Sequence, residues 1–311
     1  MTNTSIRIIL LCISQWLLFT PAYATEIRIG YQKSALNLTL LKERGLLEKK
    51  LAEKGDTVAW KEFAAGPQLL EALNVGSIDL GATGDTPPIF AQANGTQLLY
   101  VGNEPSRSQS SAILLPQASA IKTLKDLKGK RIAFQKGSSA HYFLIRALDS
   151  VGLSVEDIQP AYLPPADARA AFEQGAIDAW VIWDPYFAAL EQTSHPKVLT
   201  SGKGFSSGFT FYLSSTAFAH QHLNEIETVF AALTENDTFI QKKQQEASGL
   251  LAKVTGLDPE VYDRVFKRRP SFKVGWLEPE TIAEQQKIAN RFFELKIINK
   301  PIVVEEIVLH R

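Results

Sequence analysis

The chain of 311 residues carries 33 basic and 33 acidic side chains, so its formal net charge at pH 7 is zero. This balance argues against binding to nucleic acid or to an anionic membrane surface, because both require concentrated positive charge. The chain contains one cysteine and one methionine, Cys12 and Met1. With a single thiol, intramolecular disulfides and cysteine-based metal sites are excluded.

The first 24 residues have the pattern of a secretory signal peptide. Arg7 precedes an apolar stretch from Ile8 to Phe19, and the Ala-Tyr-Ala sequence ending at Ala24 is a small-x-small cleavage site. The apolar stretch is too short to span a bilayer as a helix. An uncleaved anchor is the alternative. Cleavage would remove both Cys12 and Met1, and the length of the exported chain suggests two lobes.

From Glu26 onward, short apolar runs alternate with helical patterns. Strands are predicted at 27–31, 58–63, 78–83, 131–135, 160–163 and 177–183. Helices are predicted at 34–44, 67–76, 87–95, 139–152 and 166–175, and the region beyond His220 is predicted to be mostly helical. Alternation of this kind is typical of α/β proteins, in which helices cross between parallel strands.

The chain contains an internal repeat. ALNVGSIDLGATGD (Ala72–Asp85) aligns with AFEQGAIDAWVIWD (Ala171–Asp184) at a constant offset of 99, and each copy ends in an aspartate that opens a proline-marked helix. A second match pairs Gln32 with Gln135 at an offset of 103. Both matches occur in the same order, which favours two similar α/β lobes. Ligands of open α/β sheets bind beyond the carboxyl ends of the strands, so we expect a cleft between the lobes.

One predicted helix start is suited to an anion. Gly137, Ser138 and Ser139 lie between a strand end and a helix, where unpaired N–H groups and the helix dipole favour negative charge. A simple serine cap is the alternative. His141, one turn further on, could donate a hydrogen bond to an anion or could be an ordinary surface histidine.

A second helix start follows Thr83 and Gly84, where Asp85 or Thr86 can cap the helix and Pro87 lies in its first turn. Taken alone, Asp85 could be a catalytic acid, a ligand contact or a helix cap. Its alignment with a second strand-end aspartate favours a shared role at a helix start over catalysis, with the neighbouring peptide N–H groups facing the anion.

The sequence lacks the motifs of common enzyme active sites. It contains no G-x-S-x-G, H-E-x-x-H, phosphate-binding loop or G-x-G-x-x-G pattern, and its five histidines have no metal-ligand spacing. We therefore expect a binding protein without a metal or cofactor.

Trp183 lies at a predicted strand end. Its indole ring could form a wall against an apolar group of the ligand, or it could simply belong to the core.

Five segments resemble periplasmic aliphatic sulfonate-binding proteins, which deliver alkanesulfonates to an ABC importer for sulfur acquisition. These segments are RIGYQK, LLEALNVGSIDLGATGDTPPIFAQA, DLKGKRIAFQKGSSAH, PADARAAFEQGAIDAWVIWDP and FTFYL. The resemblance covers essentially the whole chain after the signal peptide. It implies a periplasmic protein with the two-lobed type II periplasmic binding fold, in which each lobe is a mixed sheet flanked by helices.

The resemblance also implies lobe boundaries and partners. One lobe contains residues 25–106 and 211–311, and the other contains residues 107–210. Hinges are expected near EPSRS and SGFTF, about which the lobes close on the ligand. The implied partners are an alkanesulfonate and the importer's permease and ATPase, and the protein is expected to be a monomer. Taurine, nitrate, another small anion, or an enzyme on the same fold remain alternatives.

The implied sulfonate pocket draws on both lobes. Its predicted residues are Gln32, Thr83, Gly84, Asp85 and Thr86 from one lobe and Ser138, Ser139, His141, Trp183, Asp184 and Thr210 from the other or its hinge. Hydroxyl and backbone N–H groups would bind the sulfonate oxygens, so a buried arginine is not required. Arg107, in the hydroxyl-rich PSRSQSS, is expected to be a solvated hinge residue. Asp85 or Asp184 could accept the ammonium group of taurine.

Overall fold

A computed structural model describes residues 24–310. The predicted signal peptide lies outside the described residues apart from its last position, Ala24. Between Ala24 and residue 310, no helix has both the length and the apolar character needed to cross a bilayer.

The first of two five-stranded sheets combines strands from distant parts of the chain. Its strands are β1 (Glu26–Tyr31), β2 (Thr57–Glu62), β3 (Leu80–Gly84), β4 (Leu98–Glu104) and β10 (Thr210–Ser215), in the order β2-β1-β3-β10-β4. β1 pairs in parallel with β2 and β3, whereas β10 is antiparallel to both β3 and β4. β10 is the antiparallel strand of this mixed sheet, and it follows all the strands of the second sheet along the chain.

The second sheet repeats this arrangement. Its strands are β5 (Ser111–Leu115), β6 (Arg131–Phe134), β7 (Gln159–Tyr162), β8 (Ala179–Trp183) and β9 (Lys197–Ser201), in the order β7-β6-β8-β5-β9. β6 is parallel to β7 and β8, and β5 is antiparallel to β8 and β9. In both sheets the antiparallel strand occupies the fourth position, so the prediction of two related mixed sheets is confirmed.

Helices cover the sheets and form the C-terminal region. They are α1 (Leu36–Arg44), α2 (Leu46–Ala52), α3 (Gly66–Asn74), α4 (Thr86–Ala93), α5 (Ser139–Asp149), α6 (Pro165–Glu173), α7 (Tyr186–Thr193), α8 (Thr216–Gln221), α9 (Leu223–Lys242), α10 (Gln244–Thr255), α11 (Pro259–Arg268) and α12 (Pro279–Glu294). Each predicted helix is present, with ends displaced by a few residues. Strands β4, β5, β9 and β10 were not among the predicted elements.

The internal repeat has a physical basis in two matching arginine–aspartate pairs. The backbone N–H groups of Arg28 and Arg131 donate to Asp79 and Asp178, each at 2.8 Å. Each guanidinium also donates to a backbone carbonyl of the turn before the aspartate, at 2.6 and 2.9 Å. Both aspartates therefore fasten the start of one strand to its parallel neighbour. Asp79 and Asp178 thus have the same structural role at the start of β3 and of β8.

The chain passes between the sheets twice, after Glu104 and after Ser201. The two crossing segments are bonded to each other, since the Arg107 N–H donates to the Gly208 carbonyl at 2.9 Å. A Cβ at Gly208 would lie 2.3 Å from the Ser108 nitrogen. Glycine is therefore required for the crossing segments to pack, and the packing brings Arg107 to the cleft.

An apolar cluster joins the two halves of the molecule. Ala188 and Ala189 of α7, a helix that follows the second sheet, are buried together with Leu36 and Leu40 of α1 and with residues of α10 and α11. The C-terminal helices thus pack against both halves close to the crossing segments. This packing places the end of α11 beside the carboxyl end of β8.

Candidate ligand-binding site

A small cavity lies between the two sheets, where the carboxyl ends of their strands face each other. Its volume is about 50 Å³, enough for a compact head group. The structure brings seven of the predicted residues together in its lining: Gln32, Thr83, Gly84, Ser138, Ser139, Trp183 and Thr210. The lining also contains residues that the sequence reasoning missed as ligand contacts, namely Ser34, Arg107, Ser111, Ser206 and Phe209.

The first sheet supplies amide and hydroxyl groups to the cavity. Gln32 follows β1, and its Nε2 donates to the Ala82 carbonyl at 3.0 Å, which fixes the orientation of the amide. Thr83, at the end of β3, donates through Oγ1 to the Gly84 carbonyl at 2.9 Å. A Cβ at Gly84 would lie 2.2 Å from Ser139 Oγ. The turns that follow the two sheets are therefore in direct contact across the cleft.

The N-terminus of α5 supplies donors from the second sheet. Ser138 occupies the N-cap position, but its hydroxyl donates to the Gln135 carbonyl at 2.7 Å and makes no cap to the first turn. The simple serine-cap alternative is therefore wrong. A helix start without a side-chain cap keeps N–H groups and the positive end of the dipole available for an anion.

The start of α4 differs from its prediction. Asp85 is completely buried at the N-cap position, yet its carboxylate caps no backbone N–H. One oxygen accepts from Thr86 Oγ1 at 3.0 Å, and the other accepts from the hydroxyl of Ser207 on the second crossing segment. Neither Asp85 nor Thr86 lines the cavity. Pro87 does lie in the first turn, as predicted, and with Pro88 it removes two N–H groups from this helix start.

Asp184 also lies outside the lining. Its carboxylate receives two hydrogen bonds from Arg268 of α11, at 2.8 and 2.9 Å, and one from the Ala188 N–H at 3.1 Å. The prediction of a ligand contact is corrected by this geometry, because the bidentate arginine occupies both oxygens. The sequence could not indicate the pairing, since 84 residues separate the two partners.

His141 is buried and does not reach the cavity lining. Its ring stacks on Phe134 with centroids 5.1 Å apart, and its Nδ1 accepts from the Gly137 N–H at 3.3 Å. Burial, with a smaller contribution from Lys136, lowers the pKa of His141 to about 4. The imidazole is therefore neutral, with its proton on Nε2, and it supports the turn before α5. His141 is therefore neither a donor to the anion in the cavity nor a surface histidine, but a buried support for the turn before α5.

Arg107 is the positive charge of the cavity. It is half-buried in the lining, and its Nε donates to Thr210 Oγ1 at 3.1 Å. Burial lowers the pKa of Arg107, while Asp184 and Asp85 act in the opposite direction. The expectation of a solvated hinge residue is therefore wrong. One feature of the sequence could have indicated that Arg107 lines the cavity: it is the one cation in the hydroxyl-rich PSRSQSS, which lies at a predicted hinge.

The cavity has one apolar wall. Trp183, at the end of β8, is 9% exposed and makes an edge-to-face contact with Tyr186 at 6.5 Å between centroids. Phe209 lines another part of the cavity and packs on Phe211 at 5.9 Å. An apolar substituent could lie against these rings while a polar head faces the hydroxyl groups.

The lining chemistry selects a class of ligand. Its polar side chains are hydroxyls, one amide and the guanidinium of Arg107, and it contains no aspartate or glutamate. Such a set donates hydrogen bonds and one positive charge, which suits a compact monoanion. Within residues 24–310, no group of three or more histidine, cysteine, aspartate or glutamate side chains is placed to hold a metal ion. Fold and site together define a two-lobed α/β binding protein.

Comparison with known proteins identifies the family. The model of the NMT1-like family matches residues 21–254, so the chain belongs to this family. A relative from Escherichia coli (strain K12), named as an aliphatic sulfonates-binding protein, is 44% identical over 297 residues, which cover 96% of this chain and 92% of the relative. The resemblance to aliphatic sulfonate-binding proteins is thereby confirmed.

Two solved structures support the same assignment. The alkanesulfonate-binding protein SsuA from Xanthomonas axonopodis pv. citri bound to MOPS superposes with a TM-score of 0.88 at 45% identity, over 92% of this chain and 99% of that chain. The periplasmic aliphatic sulphonate binding protein SsuA from Escherichia coli superposes with a TM-score of 0.83 at 44% identity, over 92% of each chain. These matches confirm the predicted periplasmic binding fold.

Proposed function

We propose that this protein captures alkanesulfonates in the cavity between its sheets and delivers them to an ABC importer for sulfur acquisition. The observation that carries the proposal is the lining, which combines neutral donors with Arg107 and no carboxylate. A sulfonate is a permanent monoanion with three acceptor oxygens, so it requires donors and positive charge but no proton acceptor. The names of the relatives point to the same ligand class.

Each part of the lining has a role in this proposal. The head group is bound by Arg107, the start of α5 and the side chains of Gln32, Ser139 and Thr210. Thr83 and Ser138 line the cavity, but their hydroxyls already donate to backbone carbonyls. The alkyl tail lies against Trp183 and Phe209, where burial of each CH₂ contributes roughly 0.8 kcal/mol. Each added CH₂ is therefore expected to change affinity by a small factor, whereas the head group determines whether the ligand binds at all.

Ligand capture is proposed to involve two lobes, residues 25–106 with 211–311 and residues 107–210. The contact between Gly84 and Ser139 joins these lobes directly across the cleft. The crossing segments that contain Arg107 and Gly208 are the only parts of the described chain that connect the two sheets by backbone. They are the natural place for the rotation that opens the cleft.

The protein acts in the periplasm, where the importer's permease and its ATPase are the proposed partners and the monomer is the proposed form. The predicted signal peptide and the relative described as periplasmic support this location. Binding without catalysis is proposed because the relatives are named as binding proteins and because His141 is neutral, buried and outside the lining. Consumption of a sulfonate by the purified protein would contradict the proposal that it binds without catalysis.

The test is a calorimetric titration of protein prepared in sulfonate-free buffer with pentanesulfonate, taurine, nitrate and sulfate. Saturable binding of pentanesulfonate, tighter than that of the other three, is expected. Native mass spectrometry of protein purified in a sulfonate buffer should show the retained buffer anion. Absence of binding to any sulfonate at millimolar concentration would overturn the proposal.

A further inference from the structure

The end of α11 places a second arginine close to the cavity arginine. Arg268 binds Asp184, and the backbone N–H of Asp184 donates to the Ser110 carbonyl at 2.8 Å. The Ser110 N–H in turn donates to the Arg107 carbonyl at 2.8 Å, within a single turn of 3₁₀ helix. Asp184 is therefore bonded to Arg268 through its carboxylate and, through its backbone, to the turn that begins at Arg107.

Arg268 is firmly held in this position. It donates to both oxygens of Asp184 and, at 2.8 Å, to Glu191. Its guanidinium lies 4.1 Å from the centre of the Phe187 ring. A planar guanidinium bound at both ends and stacked on an aromatic ring is well ordered. Both carboxylate oxygens of Asp184 therefore accept hydrogen bonds from Arg268, which does not line the cavity.

Arg107 has a weaker attachment. Its side chain donates to Thr210, a neutral hydroxyl, at 3.1 Å. A carboxylate adds a Coulombic attraction to the guanidinium that a neutral hydroxyl lacks, so a free carboxylate nearby would compete for Arg107. Asp184 is the candidate that is bonded to this segment, because its backbone N–H donates to Ser110, and its charge, like that of Asp85, acts on Arg107.

We propose that Arg268 is a positioning residue for ligand capture, because its bidentate bond to Asp184 keeps Arg107 directed into the cavity and available to the anion. The inference rests on the proposed function, in which Arg107 binds the sulfonate. Without Arg268, a buried carboxylate lacks its partner, which is strongly unfavourable. Asp184 then attracts Arg107, and the cavity loses its positive charge.

The test uses the full-length mature protein and pentanesulfonate titrations of single and double variants. Arg268→Gln is expected to lower affinity about 10- to 100-fold, the range for losing a hydrogen bond from a charged group. The double variant Arg268→Gln/Asp184→Asn should recover most of that loss, because no carboxylate remains to attract Arg107. Arg264→Gln, exposed one turn earlier on α11, should bind like the wild type, whereas Glu191→Gln, which weakens one bond of Arg268, should lower affinity less than Arg268→Gln does.

The recovery in the double variant shows that the unpaired carboxylate causes the loss. The result that a purely structural role would not produce is non-additivity with Arg107: Arg268→Gln should lower affinity little further in an Arg107→Gln background. If Arg268→Gln binds as tightly as the wild type, or if the double variant is as weak as the single one, the inference is wrong. If Arg268→Gln does not fold, Arg268→Lys is compared with Arg268→Lys/Asp184→Asn by the same criterion. If the wild type binds no sulfonate, the proposed function fails, whereas a tight wild type with no effect of Arg268 defeats only this inference.

Discussion

Arg107 carries a cost of burial in the cavity lining that an anionic ligand would relieve. Burial lowers its pKa, which means that its charged form is disfavoured there, and its side chain donates to a neutral hydroxyl. A sulfonate would supply the missing negative charge. At the level of single residues, affinity and stability should therefore respond in different ways to the loss of this charge.

We predict that Arg107→Gln lowers affinity for pentanesulfonate about 10- to 100-fold, the range for losing a charged hydrogen bond. The free energy of unfolding without ligand should be unchanged or slightly higher, because the buried charge is gone. Titration calorimetry and urea denaturation measure the two quantities. Lys33→Gln is the control, since Lys33 is partly exposed, lies outside the cavity lining and is paired with Glu62 at 3.7 Å. A large loss of stability in Arg107→Gln would show that the arginine is mainly structural.

His141 should make stability depend on pH. Burial lowers its pKa from 6.5 to about 4, so between these values the unfolded chain binds a proton that the folded protein does not. Stability is then complete above pH 6.5 and falls as the pH drops towards 4. Each pH unit in this window costs about 1.4 kcal/mol, and about 3 kcal/mol in total.

This prediction is measured as the difference between wild type and His141→Gln in urea denaturation from pH 7 to pH 4. The variant should be less stable at pH 7, because it loses the stack on Phe134, yet it should lose less stability on acidification. His220→Gln, at an exposed position, should follow the wild-type curve. Parallel curves for wild type and His141→Gln would refute the argument.

At the scale of elements, the cleft closes where the β3–α4 turn meets the start of α5. The contact tolerates no side chain at Gly84, whose Cβ would lie 2.2 Å from Ser139 Oγ. Overpacking of this kind costs about 1–3 kcal/mol. Here the cost should appear in ligand binding, because the two turns can separate by a movement of the lobes.

We predict that Gly84→Ala lowers sulfonate affinity about tenfold, the equivalent of about 1.4 kcal/mol, with a smaller effect on unfolding without ligand. Gly84→Ala/Ser139→Ala should lose less affinity than the two single variants added together, because it removes the hydroxyl that the new methyl group meets. Gly249→Ala in α10 is the control, since a Cβ there meets nothing within 4 Å. Losses that simply add in the double variant would show that contact across the cleft is not the cause.

At the scale of the whole molecule, ligand binding should stabilise and compact the protein, but taurine should do so poorly. Both buried acids that could accept its ammonium group are already occupied, Asp184 by Arg268 and Asp85 by Ser207 and Thr86. A pentanesulfonate concentration of 100 Kd should add about 2.7 kcal/mol to the free energy of unfolding. Taurine at the same concentration should add much less.

Thermal unfolding and small-angle scattering measure this outcome, as a higher Tm and a smaller radius of gyration with pentanesulfonate. Both changes should be reduced in Arg107→Gln. A rise in Tm without any compaction would mean that the lobes are already closed in the unliganded protein. Equal responses to taurine would show that an acid becomes free when the ligand enters.

Much of the fold was predictable because its signals are local. Each of these signals can be recognised within a short stretch of sequence. They are the apolar runs of five or six residues, the glycines that end helices, and each copy of the repeat that includes Asp79 and Asp178. The same is true of the turns that contain Thr83 and Ser138, which the structure brings to the cavity. Strands β4 and β10 escaped prediction, since their pairing partners are set by the return of the chain from the second sheet.

Two related α/β halves, the strand ends that line the cleft and the family could all be inferred from the amino-acid sequence. The roles of the charged groups depend on contacts that exist only in the folded protein. Asp85 pairs with a serine 122 residues away, Asp184 with an arginine 84 residues away, and Arg107 reaches the cavity because Gly208 lets two crossing segments pack. The reason is physical: strand and helix patterns depend on short-range geometry, whereas a buried charge is stabilised by whichever partner the fold brings to it.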